Sequence, residues 1–350
     1  MTSVPSVFPP IHPKIAIVGE APGANEVSER MPFVGTSGQE LTRMLAEAGI
    51  NRHACYVGNV FSIRPPANDL EHFCVKKAEL PKSYSHPALV RGKYLDPKYL
   101  PEVERLRSEL LSVKPNLILA LGNTACWALL GTTGISKMRG AIAESTLLPG
   151  VKVLPTYHPA AVMRQWDLRS TTVIDFMKAS RESLFPEIKT PHREIWLHPS
   201  LNDMLEYEKW YITGSDLLAF DIETKGYNFI TCVGISPDPS SAIVVPFVNE
   251  RNPGFHYWSE KDELSAWAWL KRILEGPIAK MGQNGLYDLQ YLRESGIIVR
   301  NYLHDTMLLH HSLQPELPKS LDFLGSIYSE EQAWKLIRRR AKDEITKRDE

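Results

Sequence analysis

The stretch Lys14–Gly38, KIAIVGEAPGANEVSERMPFVGTSG, decides how the first half of the chain is read. It opens as an apolar run of strand length, IAIVG. It breaks at Glu20 into a turn built on Pro22 and Gly23. Phe33 follows in a second loop of small residues, PFVGTSG. A strand that ends on a carboxylate, with an aromatic ring offered from a neighbouring glycine loop, brings an acceptor and a flat apolar face to one strand end. Taken alone, each piece is ordinary: a turn at Glu20-Ala-Pro-Gly and a core residue at Phe33.

Outward from that stretch, strand-like and helix-like segments alternate. GQELTRMLAEAGI has apolar residues at helical spacing and closes on Gly49. ACYVGNVFSIRPP reads as a strand running into a Pro-rich loop. LPEVERLRSELLSVK is an amphipathic helix, PNLILALG a buried strand, NTACWALLG a helical start, and VKVLPTYHP a strand running into a loop. Alternation of this kind predicts a parallel sheet covered by helices. The loops GEAPG, NVFSIRPP, LGNTA and YHPAAVMR all follow strands, so they gather at the edge where active residues of such sheets lie.

The chain has 350 residues, which favours two domains. Its net charge is −1, so contacts to a nucleic acid must come from local patches rather than a global basic field. The four cysteines, Cys55, Cys74, Cys126 and Cys232, are scattered without a CxxC, which argues against a disulfide framework and a sequence-local metal site. No apolar run approaches membrane-helix length, and the first residues, MTSVPSVFPPIHP, lack the pattern of a signal peptide. A cytoplasmic location and no membrane partner are the expectation. The run SLFPEIKTPHREIWLHPS, with three prolines and mixed charge, marks a boundary. We expect a first domain over 1–185, a linker over 186–199 and a second domain over 200–350.

In the first domain, Glu20 supplies a carboxylate, Asn59 a carboxamide, His158 an imidazole and Phe33 a face. Such a set can hold one planar heterocycle, with stacking fixing its plane and polar groups reading its edge. The ordered blocks GEAPG…E…PFVG, NV…RPP, LALG and YHPAAVMR resemble the family-four and family-five branch of the uracil-DNA glycosylases over about residues 14 to 166. The resemblance implies a three-layer αβα fold in which Phe33 stacks on a flipped uracil and Asn59 reads its edge. Glu20 and its turn, Gly19, Ala21, Pro22 and Gly23, contact the base and the reaction centre. His158 stabilises charge on the uracil oxygen, and Arg64 and Arg164 join the DNA-binding set. Ala21 stands where other uracil glycosylases carry a water-activating aspartate. Iron–sulfur members place two cysteines before the first strand and one where this chain has Ser62. That pair is missing here, so no iron–sulfur cluster is expected, and Cys74 is left as a packing residue or a remnant. Phage polymerase appendages of this fold resemble this cluster-less form.

The second domain opens with a helix, SLNDMLEYEKWYI, then the strand LLAFDIET, the hairpin-like FITCVGISPDPSSAIVVPF, and helices around ELSAWAWLKRILEG and YDLQYLRESG. Asp221 and Glu223, two apart on a strand, share one face and repel unless a cation intervenes. Magnesium or manganese suits such hard oxygen ligands. Asn284 and Asp288 lie four apart, on one helical face if helical. DIET, NGLYD and HDTMLLHHSLQPELPKSLDFL, the last including Asp305, resemble the 3′–5′ exonuclease domain of family A DNA polymerases, a ribonuclease H-like α/β fold. That resemblance implies Mg2+ or Mn2+ held by Asp221, Glu223 and Asp288, with Asn284 and Tyr287 positioning the site. The family's last motif, a tyrosine four residues before an aspartate, is not found: Tyr328 is followed by Gln332. The ending on a charged helix, WKLIRRRAKDEITKRDE, favours a chain cut from a longer one.

The pairing implies a DNA repair and replication protein acting on uracil-containing DNA, single-stranded or duplex, and on DNA 3′ ends. It resembles the N-terminal part of a phage-type polymerase, with the polymerase domain on the same or a neighbouring chain. The alternative is a non-catalytic module that binds uracil or template beside a proofreading exonuclease.

Overall fold

The computed structural model describes residues 2–189, 191–225, 229–249 and 251–329. Two compact units emerge: Met1–Lys189 joined by the segment that begins at Asp322, and Thr190–Leu321.

In the first unit the strands are β1 (Ile15–Gly19), β2 (Tyr56–Asn59), the small antiparallel pair β3 (Cys74–Val75) and β4 (Tyr94–Leu95), then β5 (Leu117–Leu121), β6 (Ala143–Glu144) and β7 (Lys152–Thr156). The main sheet has the order β2-β1-β5-β7-β6, with β2, β1, β5 and β7 parallel and β6 antiparallel to β7. Helices α1 (Ala24–Glu29), α2 (Thr36–Glu47), α3 (Leu100–Val113), α4 (Asn123–Leu130), α5 (Pro159–Arg164) and α6 (Leu168–Glu182) complete it. Every residue of β1 and β5 is buried, which is why both read as unbroken apolar runs. Alternate side chains feed two cores. Ala16, Val18, Ile118 and Ala120 pack with Leu106, Leu110 and Trp127 of α3 and α4. Ile15, Ile17, Leu117 and Leu119 pack with Leu41, Met44 and Phe176 of α2 and α6. The result is a three-layer αβα unit.

The returning segment forms α11 (Leu321–Tyr328). Within the first unit, the buried Arg139 pairs with Asp175 and donates to Ser326 Oγ at 2.8 Å, while Lys178 Nζ donates to Ser326 O at 3.1 Å. Gln332 and the charged run from Trp334 lie outside the described residues.

The second unit carries β8 (Glu194–Trp196), β9 (Leu217–Lys225), β10 (Phe229–Asp238), β11 (Ser241–Pro246), β12 (Ala279–Gly282) and β13 (Tyr302–Asp305), with α7 (Leu201–Tyr207), α8 (Glu260–Leu274), α9 (Leu286–Glu294) and α10 (Thr306–Leu313). The sheet order is β13-β12-β9-β10-β11-β8. On one side of β9 lies β10, antiparallel to it, followed by its hairpin partner β11, and β12 and β13 run parallel to β9 on the other. A central strand flanked this way is the ribonuclease H-like arrangement. Leu218, Phe220 and Ile222 turn into a core with Trp269, Leu270 and Leu292, which leaves Asp221 and Glu223 on the opposite, exposed face. Ser259 caps α8, three acids occupy its first turn and Lys271 and Arg272 its last, matching the helix dipole.

Candidate active site

Four parallel strands of the first unit end at one rim, around a cavity of about 460 Å³ lined by Glu20, Ala21, Pro22, Gly23, Phe33, Asn59, His158 and Arg164, among others. β1 delivers Gly19 and Glu20. A Cβ on Gly19 would stand 2.5 Å from both Asn59 Oδ1 and Phe33 Cζ, so glycine lets those two side chains approach. Asn59 closes β2 at 6% exposure. Its backbone oxygen accepts from Arg105 Nη2 at 2.8 Å, while its carboxamide makes no hydrogen bond among the described residues. The amide therefore faces the cavity it lines with its donor and acceptor free for a ligand.

Glu20 Oε2 accepts from Thr124 Oγ1 at 2.6 Å, which fixes the carboxylate against the start of α4. Phe33 is buried, and its ring lies 5.8 Å from that of His158 at 30°. Its φ of +56° is a left-handed backbone, a conformation that costs on the order of 1–3 kcal/mol for a non-glycine residue and persists only where neighbours impose it. Glu26 imposes it in part, accepting from the N–H groups of both Gly23 and Phe33.

His158 caps α5: its Nδ1 accepts from the Ala160 N–H at 3.1 Å. The ring proton therefore belongs on Nε2. The residue keeps some surface open, but dense packing around the ring governs its titration. Burial, and then the charge of Arg164, bring its pKa from 6.5 down to about 4. The ring is a neutral donor near pH 7. Gly122, at φ +86°, brings its chain against this residue; a Cβ there would lie 3.1 Å from His158 Cβ.

Arg64 is not among the lining residues. Its Nε donates to Asn68 Oδ1 at 2.7 Å, and Asn68 and Pro65 line the cavity instead. Sequence reasoning also passed over Glu26, Thr124 and Tyr157. Glu26 stands three residues after Gly23, the spacing of a capping box, and that signal was legible. The others come from segments far apart in the chain.

Cys55 and Cys126 are buried free thiols, pushed up to about 12 by desolvation, and Cys74 is free and pushed up to about 11. At Ser62, where the resemblance would seat a cluster cysteine, the hydroxyl donates to Glu102 Oε1 at 3.1 Å and accepts from Ser3 Oγ at 3.0 Å. These donors do not fit a four-cysteine cluster.

In the second unit, α9 is tied to β9 where Asp288 Oδ1 accepts from Ile222 N–H at 3.0 Å, and where Tyr287 and Thr224 share a hydroxyl hydrogen bond of 2.6 Å. Asp221 is pushed up to about 6, by packing around its carboxylate first and then by Asp288 and Glu223. Asp288 is raised too, chiefly by burial. Asn284 does not share a helical face with Asp288: it precedes α9 at φ +54°, because Asp305 holds the turn. Asp305 accepts from the N–H groups of Asn284, Gly285, Met307 and Leu308 and from Tyr302 Oη. Three neighbouring carboxylates suit a hard divalent cation chemically. As the side chains stand, however, no three His, Cys, Asp or Glu among the described residues surround one point.

The sequence profile of the uracil DNA glycosylase superfamily matches residues 5–181. The type-4 uracil-DNA glycosylase of Archaeoglobus fulgidus is 35% identical over 172 residues, 47% of this chain and 74% of that protein. That of Thermotoga maritima is 33% identical over 170 residues, 47% of this chain and 76% of that protein. Among solved structures, the EXD2 exonuclease domain soaked in Mn and GMP resembles 38% of this chain, over 68% of its own length, with a TM-score of 0.27 and 16% identity. Brucella melitensis NrnC with bound Mg2+ resembles 40%, over 62% of its own length, with a TM-score of 0.26 and 18% identity. The profile match, the two relatives and the strand-end cavity agree: this chain belongs to the uracil DNA glycosylase superfamily.

Proposed function

We propose that the first unit excises uracil from DNA by hydrolysing the N-glycosidic bond. The observation that carries this reading is the Asn59 carboxamide, free of protein partners and facing the cavity that Phe33 and a neutral His158 also line. An extruded uracil stacks on Phe33 and pairs its edge with Asn59. Bond cleavage puts negative charge on the departing base and positive charge on the sugar. His158 donates from Nε2 to the oxygen of the base as that charge develops, and being already neutral it surrenders no proton to solvent beforehand. Glu20, held by Thr124, favours the cationic sugar or orients the attacking water. Arg164 meets the phosphates that help offset extrusion. The test is release of uracil, read as abasic sites in single-stranded and duplex DNA. Abasic sites made by the wild-type chain and lost in Asn59→Ala support catalysis. Binding of uracil-containing DNA without abasic sites leaves a binding module.

For the second unit we propose trimming of DNA 3′ ends. Asp221, Glu223 and Asp288 would hold Mg2+ or Mn2+, which when bound supplies an activated water and charge stabilisation at the leaving oxygen. The position of Asp221 beside Asp288 and Glu223, whose charges push it up after packing does, supports this, and digestion that requires the cation and stops with chelator tests it. We further propose that both units serve DNA beside a polymerase, on the same or a neighbouring chain. That link rests on the resemblance of the second unit's motifs alone.

A further inference from the structure

The aromatic platform in the first unit is gripped at both ends of one residue. Glu26 takes the Phe33 N–H. The Phe33 carbonyl is taken by Arg52, on the short turn Arg52–Ala54 that precedes β2. Arg52 Nη2 donates at 2.9 Å to Phe33 O and at 3.0 Å to Pro32 O. Its Nη1 donates at 2.7 Å to Thr42 Oγ1 and at 3.3 Å to Gly38 O. One planar fork thus ties the Phe33 loop to the first turns of α2. Fit is close on the far side as well: a Cβ on Gly38 would stand 1.9 Å from Phe33 O. Arg52 does not line the cavity. Its four hydrogen bonds all end on the loop or on α2, and the left-handed Phe33 they enclose is a conformation that needs outside support.

We propose that Arg52 is a positioning residue for base stacking: it fixes the plane of the Phe33 ring beside His158 without touching substrate. The inference rests on the glycosylase reading for its kinetic consequence, but the clamp itself is measurable without it. A guanidinium suits the task because its rigid fork serves several carbonyls at once, which a lysine ammonium cannot do in the same plane.

The experiment uses the full chain as wild type, Arg52→Gln, Arg52→Lys, Phe33→Ala, and Arg52→Gln combined with Phe33→Ala. Arg52→Gln is expected to lower kcat/KM for uracil release on the order of tenfold to a hundredfold, the scale of a small misplacement at a reacting group. In the Phe33→Ala background the same change should cost less than about twofold, because the two residues act as one unit. Arg52→Lys should recover part of the loss, and it replaces Arg52→Gln should that variant not fold. Amide exchange from Phe33 to Gly38 should rise in Arg52→Gln while β1 keeps its protection. A kcat/KM loss that persists in full without the Phe33 ring, or unchanged exchange in that loop, overturns the proposal. Absence of uracil release by the wild type would sink the glycosylase reading and leave the exchange result to decide the clamp.

Discussion

At the end of β7, burial drives His158 to its neutral form, with a pKa near 4, and a neutral ring is what its surroundings accommodate. On β9, burial pushes Asp221 the other way, up to about 6, and the nearby Asp288 and Glu223 add to the penalty. His158 follows β7 at the start of α5, whereas Asp221 stands on the face of β9 that the core leaves open. The difference is the partner each lacks. In the first unit the polar groups are already held: Glu20 by Thr124, His158 by the Ala160 N–H and the Phe33 backbone by Glu26. The Asn59 carboxamide and the His158 Nε2–H are left open toward the cavity. In the second unit Asp221 stands near the like charges of Asp288 and Glu223. A neutral His158 and a raised Asp221 are two outcomes of one rule: burial penalises whichever form is charged.

The most severe way to break the comparison is at the open groups. Asn59→Ala and His158→Ala should each lower uracil release on the order of 10²–10³-fold, the scale of losing one preorganised donor. DNA binding should stay largely intact, and abasic-site cleavage set beside a binding titration measures both. Asp221→Asn should remove cation-dependent digestion of 3′ ends. Digestion that survives in this variant would place the acid site elsewhere.

Asp305 sharpens the comparison, since it is an acid spent on structure rather than on a ligand. Asp305→Ala should destabilise the second unit by about 3 kcal/mol in denaturant unfolding, because four N–H groups, that of Gly285 buried, lose their acceptor together.

The smallest effects are those of pH, and they should carry opposite signs. The stability linked to neutral His158 is present in full above pH 6.5 and is lost as pH falls toward about 4. The contribution of Asp221 is present in full below pH 3.8 and is lost as pH rises through about 6. Thermal unfolding of the wild type against His158→Gln and Asp221→Asn, at pH 4.5 and 7.5, resolves the two. Adding Mn2+ at pH 7.5 should raise the transition of the wild type more than that of Asp221→Asn.

Much of this architecture was written locally. β1 and β5 are buried on both faces, so their apolar runs left little choice of element. Period-two alternation on β9 separates Leu218, Phe220 and Ile222 from Asp221 and Glu223 before any tertiary contact is known. Other residues resisted. Asn284 and Asp288 have helical spacing, but the side chain of Asp305, about twenty residues away in sequence, holds the turn before α9 and turns Asn284 out of the helix. Arg64, which the resemblance sets in the DNA-binding group, lies outside the cavity lining, and its Nε donates to the Asn68 side chain.

By itself, the sequence determined which chemical groups stand at which strand ends, because periodicity and turn residues act over a few positions and the order of blocks does the rest. Only the tertiary structure decided how those groups are held: Glu20 by Thr124, Phe33 between Glu26 and Arg52, Asp288 against the backbone of β9. Hydrogen bonds, close approach and desolvation depend on distances through space, and segments far apart in the chain meet there with no periodic signal to announce it.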